Sequence, residues 1–140
     1  MKIWKNTVVM LLIACTAEAA SYLPITTDNT CLMLKVNDKN RLEQTFFGPR
    51  TAHPEELKKV DQQVFTSYSM IGTTHVFEAA LRVIQSDGNT STELRYVDSS
   101  TDRLSANIHY TVIKLKDEHY DLFVDIHYKA YQKEDIIEQW

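Results

Sequence analysis

Asp125 and His127 stand two residues apart in an alternating stretch, so on a strand both side chains leave one face, and His109 on the preceding strand is placed to join them. That trio offers the donor types a transition metal takes, and the solvated face of a strand has the same composition without any metal. Asp87 and Glu93 flank a turn, as a pair of carboxylates for glycosidic-bond hydrolysis would have to meet, although acidic residues around a hairpin are ordinary. Phe46, Phe47 and Tyr68 would stack on a sugar ring if exposed and would fill a core if not. Asn89-Thr90-Ser91 matches a glycosylation acceptor and reads equally as a turn. Cys31 lies alone in the apolar stretch Thr30-Cys31-Leu32-Met33-Leu34, where a thiol behaves as a small buried hydrophobe. There is no Gly-rich phosphate loop, no Gly-x-Ser-x-Gly elbow, no His-Glu-x-x-His and no paired cysteine spacing, so these residues assign no catalytic group, metal or cofactor.

The elements that carry these side chains follow a period of two. In residues 122–131, Leu122, Val124, Ile126, Tyr128 and Ala130 form one apolar face while Asp125, His127 and Lys129 point the other way. Shorter runs of this kind occupy 31–36, 41–47, 77–85, 92–97 and 108–116, giving six predicted strands. Asn37-Asp38-Lys39-Asn40, Ser86-Asp87-Gly88-Asn89 and Asp117-Glu118-His119 read as hairpin turns, which makes neighbouring strands antiparallel. Only residues 53–63 have helical composition, with Pro54 suited to a first turn and Glu55 and Glu56 favourable beside it; the segment reads as one short helix or a loop. No repeat, linker or charge block divides the chain, and the expected fold is all-β, an antiparallel sandwich. A further β-type run, Ile136-Ile137-Glu138-Gln139-Trp140, is still open where the sequence stops, which reads as a domain incomplete at its C-terminus.

The first residues read as a targeting segment. Lys2 and Lys5 precede the apolar run VVMLLIA at 8–14, far short of the roughly 20 residues a spanning helix needs. Ala17-Glu18-Ala19 suits cleavage before Ala20, giving a signal peptide of residues 1–19; Leu12-Ile13-Ala14-Cys15 suits a lipobox, with residues 1–14 removed and Cys15 lipidated. Either route exports the protein, to a bacterial periplasm or to the outer membrane as a lipoprotein. The 140 residues are 44% apolar, enough for one domain with a real core, and their net charge of −4 argues against binding nucleic acid.

Three ordered segments carry a resemblance. They are Asn29 to Val36 with Asn40 to Gly48, ending in Phe47-Gly48; Glu78-Ala79-Ala80-Leu81-Arg82-Val83 with Asp87-Gly88-Asn89; and 111–117 with 122–140, including His127-Tyr128-Lys129-Ala130-Tyr131 and Ile137-Glu138-Gln139-Trp140. In order and spacing they resemble the N-terminal domain of family 36 glycoside hydrolases, the retaining α-galactosidases. The resemblance implies an antiparallel β-supersandwich of the galactose-mutarotase-like kind over residues 20–140, ahead of a catalytic barrel whose two aspartates are not in this sequence. It implies that α-galactosides are met through that absent catalytic domain, and that the full enzyme forms a homo-oligomer in which an N-terminal loop rims a neighbour's sugar pocket. On this chain the loop is 67–78, with Tyr68, Ile71, His75 and Glu78 as the substrate-rim positions. It departs from the family pattern: Ser69 stands for Pro, Ile71 for an aromatic, Thr74 for Gly, His75 for an acid or amide, and Ala79 for the Pro after Glu78. Thr74 restricts the backbone where Gly is free, and His75 replaces an acceptor for sugar hydroxyls. Two rival readings remain beside this one, a free-standing exported glycan-binding module and a vestigial fragment.

Overall fold

A computed structural model describes residues 21–59, 65–70 and 78–140. Within them two four-stranded antiparallel sheets pack face to face. The first runs β1 (Ser21–Thr26), β2 (Thr30–Val36), β3 (Leu42–Pro49) and β4 (Phe65–Thr66); the second runs β5 (Leu94–Arg103), β6 (Ile108–Asp117), β7 (Phe123–Tyr131) and β8 (Ile136–Gln139). Each sheet lists its strands in chain order, so every pairing joins sequence neighbours. The expected all-β antiparallel sandwich is what the chain forms.

Alternation decides which side chains meet. From the first sheet Ile25, Leu32, Leu34, Val36 and Leu42 enter the shared core, and from the second Leu94, Ile113, Leu115, Ile126, Tyr128 and Ala130. Strand β2 is buried on both faces, because Cys31 and Met33 point outward beneath Leu57 of α1 (Pro54–Leu57), with Tyr22 and Phe46 alongside. The apolar run in β2 therefore serves two clusters rather than one. Gly48 sits against the Phe46 ring, where a Cβ would come to 3.0 Å from Cζ.

The structure corrects the expected strands in four places, one of them the two-residue β4, which pairs with β3 and did not read as a strand. Strand β1 did not read as one because of Pro24; as an edge strand it loses nothing from a missing N–H on its outer side. Strand β5 extends well past residue 97, through polar residues that pair with β6, including a Thr101–Thr111 hydroxyl bond of 2.9 Å. Val97 is a bulge that resets the phase of the alternation. The run at 77–85 forms no ladder among its described residues, 78–85: their one strand-type pairing is an isolated parallel bridge, Met70 to Leu81, beside hydrogen bonds to Tyr68 and Ser69, and Leu81 packs on the core as its alternation requires. The turn at 86–89 exists, with Gln85 N–H on Asn89 O at 2.8 Å and Gly88 at φ 84°, but it does not join two paired strands. The short-helix reading of 53–63 holds for Pro54–Leu57. Residues 60–63, the targeting segment and Cys15 lie outside the described residues.

Polar links tie the sheets at both ends. At one, Asp135 (φ 54°) accepts from Thr27 Oγ1 at 2.8 Å, Asn29 N–H at 2.9 Å and Asn29 Nδ2 at 2.7 Å, while Gln132 Nε2 donates to Thr26 O at 2.9 Å. At the other, Tyr96 N–H donates to Asn40 O at 2.7 Å and Arg95 Nη1 to Lys39 O at 2.9 Å.

Candidate functional site

The Asn40–Tyr96 end of the sandwich is where side chains converge. The Asn37 side chain shapes the β2–β3 turn, accepting from the N–H groups of Lys39 and Arg41 at 2.9 Å, with Asn40 at φ 54°. That turn aims Arg41 across at Glu93, just ahead of β5. Glu93 Oε1 accepts from Arg41 and from Arg95 Nη2, the latter at 2.8 Å, and Arg95 Nε also donates to Glu118 Oε2 at 2.8 Å. The Arg41 hydrogen bond is the first reason that the Glu93 carboxyl stays below its ordinary range. Glu93, Glu118 and His119 bring ligand-type atoms within 4.8 Å of one another, but two guanidinium groups already occupy those carboxylates, so the arrangement is an ion-pair network.

Asp117 organises the backbone beneath it. Only 3% exposed, its carboxylate accepts from the N–H groups of Glu93 at 2.8 Å, His119 at 2.9 Å and Tyr120 at 3.0 Å. Burial opposes its ionisation, and the three donors together outweigh burial and hold its pKa below the ordinary value. From sequence Asp117 looked like a turn residue only; its position at the last inward-facing site of β6 is the signal that it is more.

Beside this network a cavity of about 470 Å³ opens between the two sheets. Leu42, Leu94, Leu115 and Met70 supply buried apolar surface, and Arg41, Glu93, Tyr68 and Asn89 supply polar groups at its edge. Thr92 lines it as well, 6% exposed, and its hydroxyl has no hydrogen-bond partner among the described residues.

The residues singled out from sequence fall variously around this frame. Tyr68 packs against the main core, reaches Ala80 O with its hydroxyl at 3.5 Å and borders the cavity. Glu78 is exposed, and its backbone carbonyl accepts from Ser69 Oγ at 3.2 Å; Ile71 and His75 lie outside the described residues. Phe46 belongs to the outer cluster under α1, whereas Phe47 is 64% exposed. Asp87 is not held toward Glu93: it accepts from Tyr120 Oη at 2.8 Å and from Asn89 N–H at 2.9 Å, and these bonds, the backbone one first, lower its pKa. The Asn89 side chain closes the same turn, with Nδ2 on Tyr120 Oη at 2.9 Å and Oδ1 accepting from Ser91 N–H at 3.0 Å. Cys31 is buried, and desolvation pushes its thiol pKa up.

The His109, Asp125, His127 trio is not assembled. The register pairs His109 with Ala130 and Val112 with His127, which sends His109 to the inner face and His127 to the outer. His127 Nδ1 instead shares a 2.7 Å hydrogen bond with Tyr110 Oη, and its ring lies 5.4 Å from that of Trp140, nearly parallel.

Comparison with known proteins places these features. The model of the glycosyl hydrolase family 36 N-terminal domain matches residues 30–140. No curated protein matches the chain. Among solved structures, the alpha-galactosidase from Lactobacillus brevis is similar over 88% of this chain and 21% of its own, with 20% identity and a TM-score of 0.70. The family 36 alpha-galactosidase AgaA of Geobacillus stearothermophilus, as a variant in complex with 1-deoxygalactonojirimycin, is similar over 85% of this chain and 21% of its own, at 18% identity and a TM-score of 0.71. The galactosidase domain of the alpha-galactosidase-sucrose kinase AgaSK is similar over 86% and 22%, at 16% identity and a TM-score of 0.67. The chain thus spans about a fifth of the length of the solved proteins that it matches. With the family model covering all but the first strand of the sandwich, this chain belongs to the family 36 glycosyl hydrolase N-terminal domains.

Proposed function

We propose that this chain is the non-catalytic N-terminal β-sandwich domain of an exported bacterial α-galactosidase, and that it scaffolds the catalytic domain, contributes to subunit contact and rims the sugar site. The observation that carries this reading is the family match over residues 30–140, in proteins of which the domain makes up about a fifth. Hydrolysis of terminal α-galactosides would then belong to the rest of the enzyme. Consistent with that division, the carboxylates that sequence alone offered as a pair, Asp87 and Glu93, are each held by their own partners. The rim role falls to the segment containing Tyr68, Ile71, His75 and Glu78. Export follows from the reading of residues 1–19 as a signal peptide, or of Cys15 as a lipidated residue.

Purified chain assayed on a chromogenic α-galactoside and on raffinose is expected to release no galactose; release would overturn the reading. Sequencing the source DNA past the codon for Trp140 is expected to find an open frame that encodes a barrel with two catalytic aspartates, and a stop codon there would remove the scaffold role. Mass spectrometry of the secreted protein separates the processing routes, since an N-terminus at Ala20 and an acylated Cys15 differ plainly in mass.

A further inference from the structure

We infer that the exposed turn at 87–91 is a glycan acceptor, modified at Asn89 Nδ2 by an oligosaccharyltransferase. Asn89-Thr90-Ser91 is the one Asn-x-Ser/Thr sequence in the chain, and the structure shows that turn and acceptor are the same residues. Residues 86–91 are all exposed, and residues 82–93 lie in no ladder, so an enzyme cleft can take the segment without opening a sheet. The Asn89 carboxamide is set by its neighbours, with Oδ1 accepting from Ser91 N–H at 3.0 Å and Nδ2 donating to Tyr120 Oη at 2.9 Å. The Ser91 hydroxyl, by which such a sequence is recognised, has no hydrogen-bond partner among the described residues.

The chemistry leaves the turn intact. An amide nitrogen carries two hydrogens, and Tyr120 takes one of them. Transfer from a lipid diphosphate-linked oligosaccharide forms the bond from Nδ2 to the sugar C1 and breaks the C1–O bond to diphosphate, which leaves with the electron pair. The second Nδ2 hydrogen leaves as a proton to a base of the transferase. The product keeps a single N–H, which is all that the bond to Tyr120 needs. Asp87 adds a charge two residues before the acceptor: its exposed carboxylate takes Asn89 N–H at 2.9 Å and Tyr120 Oη at 2.8 Å, and a cationic cleft can hold it as well. Asn29 is a poor alternative, because its Nδ2 is tied to Asp135 Oδ2 at 2.7 Å and Cys31, not a hydroxyl residue, stands two positions on. The inference rests on the export reading, since such transfer takes place outside the cytoplasm.

The test combines the purified full chain with a single-subunit bacterial oligosaccharyltransferase and its polyprenyl diphosphate-linked oligosaccharide, followed by peptide mapping in the mass spectrometer. Because the chain is supplied purified, the result does not depend on whether residues 1–19 direct export. The expected result is one glycan, on the peptide that carries Asn89, in protein that melts where the untreated chain does. Asn89→Gln is expected to take none. Ser91→Ala removes an exposed hydroxyl that bonds to nothing, so it is expected to keep the melting temperature and slow transfer at least about tenfold, while Ser91→Thr restores it. Asp87→Asn keeps an acceptor for the turn but not the charge, and is expected to slow transfer by a similar factor. Absence of a glycan, transfer only to the unfolded chain, transfer to another residue, or a Ser91→Ala or Asp87→Asn protein modified as fast as the parent would each overturn the inference.

Discussion

Asp117 shows how one buried carboxylate can set a local structure. Its three backbone donors come from Glu93 and from the β6–β7 turn, so the same group closes a hairpin and fixes the entry to β5. Asp117→Ala strands these N–H groups and is expected to cost about 2–3 kcal/mol of stability, read by urea denaturation. Asp117→Asn, which keeps one acceptor oxygen, should lie between Ala and the parent. Cys31 makes a contrasting case, since burial alone governs it: its thiol is expected to resist an exposed-thiol reagent in the folded 20–140 protein and to react fully in urea. Residue chemistry that depends on burial was legible from the apolar surroundings of Cys31. Chemistry that depends on register was not, because the separation of His109 from His127 follows from a pairing that local sequence does not state.

Among the elements, those with unbroken alternation were legible and those with an interruption were not. Strand β7 buries Ile126, Tyr128 and Ala130 on the face that its sequence announces. Strand β5 was foreshortened because Val97 breaks the phase: inward positions run Leu94, Tyr96, then Ser99 and Thr101, and a reading with a fixed period loses the strand at the bulge. Because Val97 is the extra residue, deleting it would join Tyr96 directly to Asp98 and leave Ser99 and Thr101 on the inner side, so this variant is expected to melt within a few degrees of the parent, read by thermal denaturation. The segment 78–85 erred the other way, because alternating burial requires only a core on one side and not a paired neighbour. The cavity beside the Arg41–Glu93 pair was invisible for a similar reason: it arises from how two sheets and their connecting segments meet, which no local stretch of sequence states.

For the molecule as a whole, the polar links at the two ends make stability depend on acid. Asp117 and Asp135, and Glu93 and Asp87 with them, have folded-state pKa values below their ordinary ones; for Asp135 the Asn29 side chain is the first cause. The unfolded chain therefore binds more protons than the folded one in that range. Stability is whole above the ordinary carboxylate pKa and is lost as pH falls through the lowered folded values. Melting at pH 7 and at pH 3 is expected to show a marked drop, and Asp135→Asn, which keeps a side-chain acceptor at a residue with positive φ, should melt above Asp135→Ala.

Because residues 21–66 build one sheet and residues 94–140 the other, the boundary between layers is also a boundary along the chain. Severing the exposed turn at Gly88 leaves two pieces, each holding the four described strands of one layer. Neither piece can cover its own apolar face, so each must find the other, and what was an intramolecular packing step becomes a bimolecular equilibrium. The strength of the core could then be read from dilution rather than from denaturant, as the concentration at which the halves part.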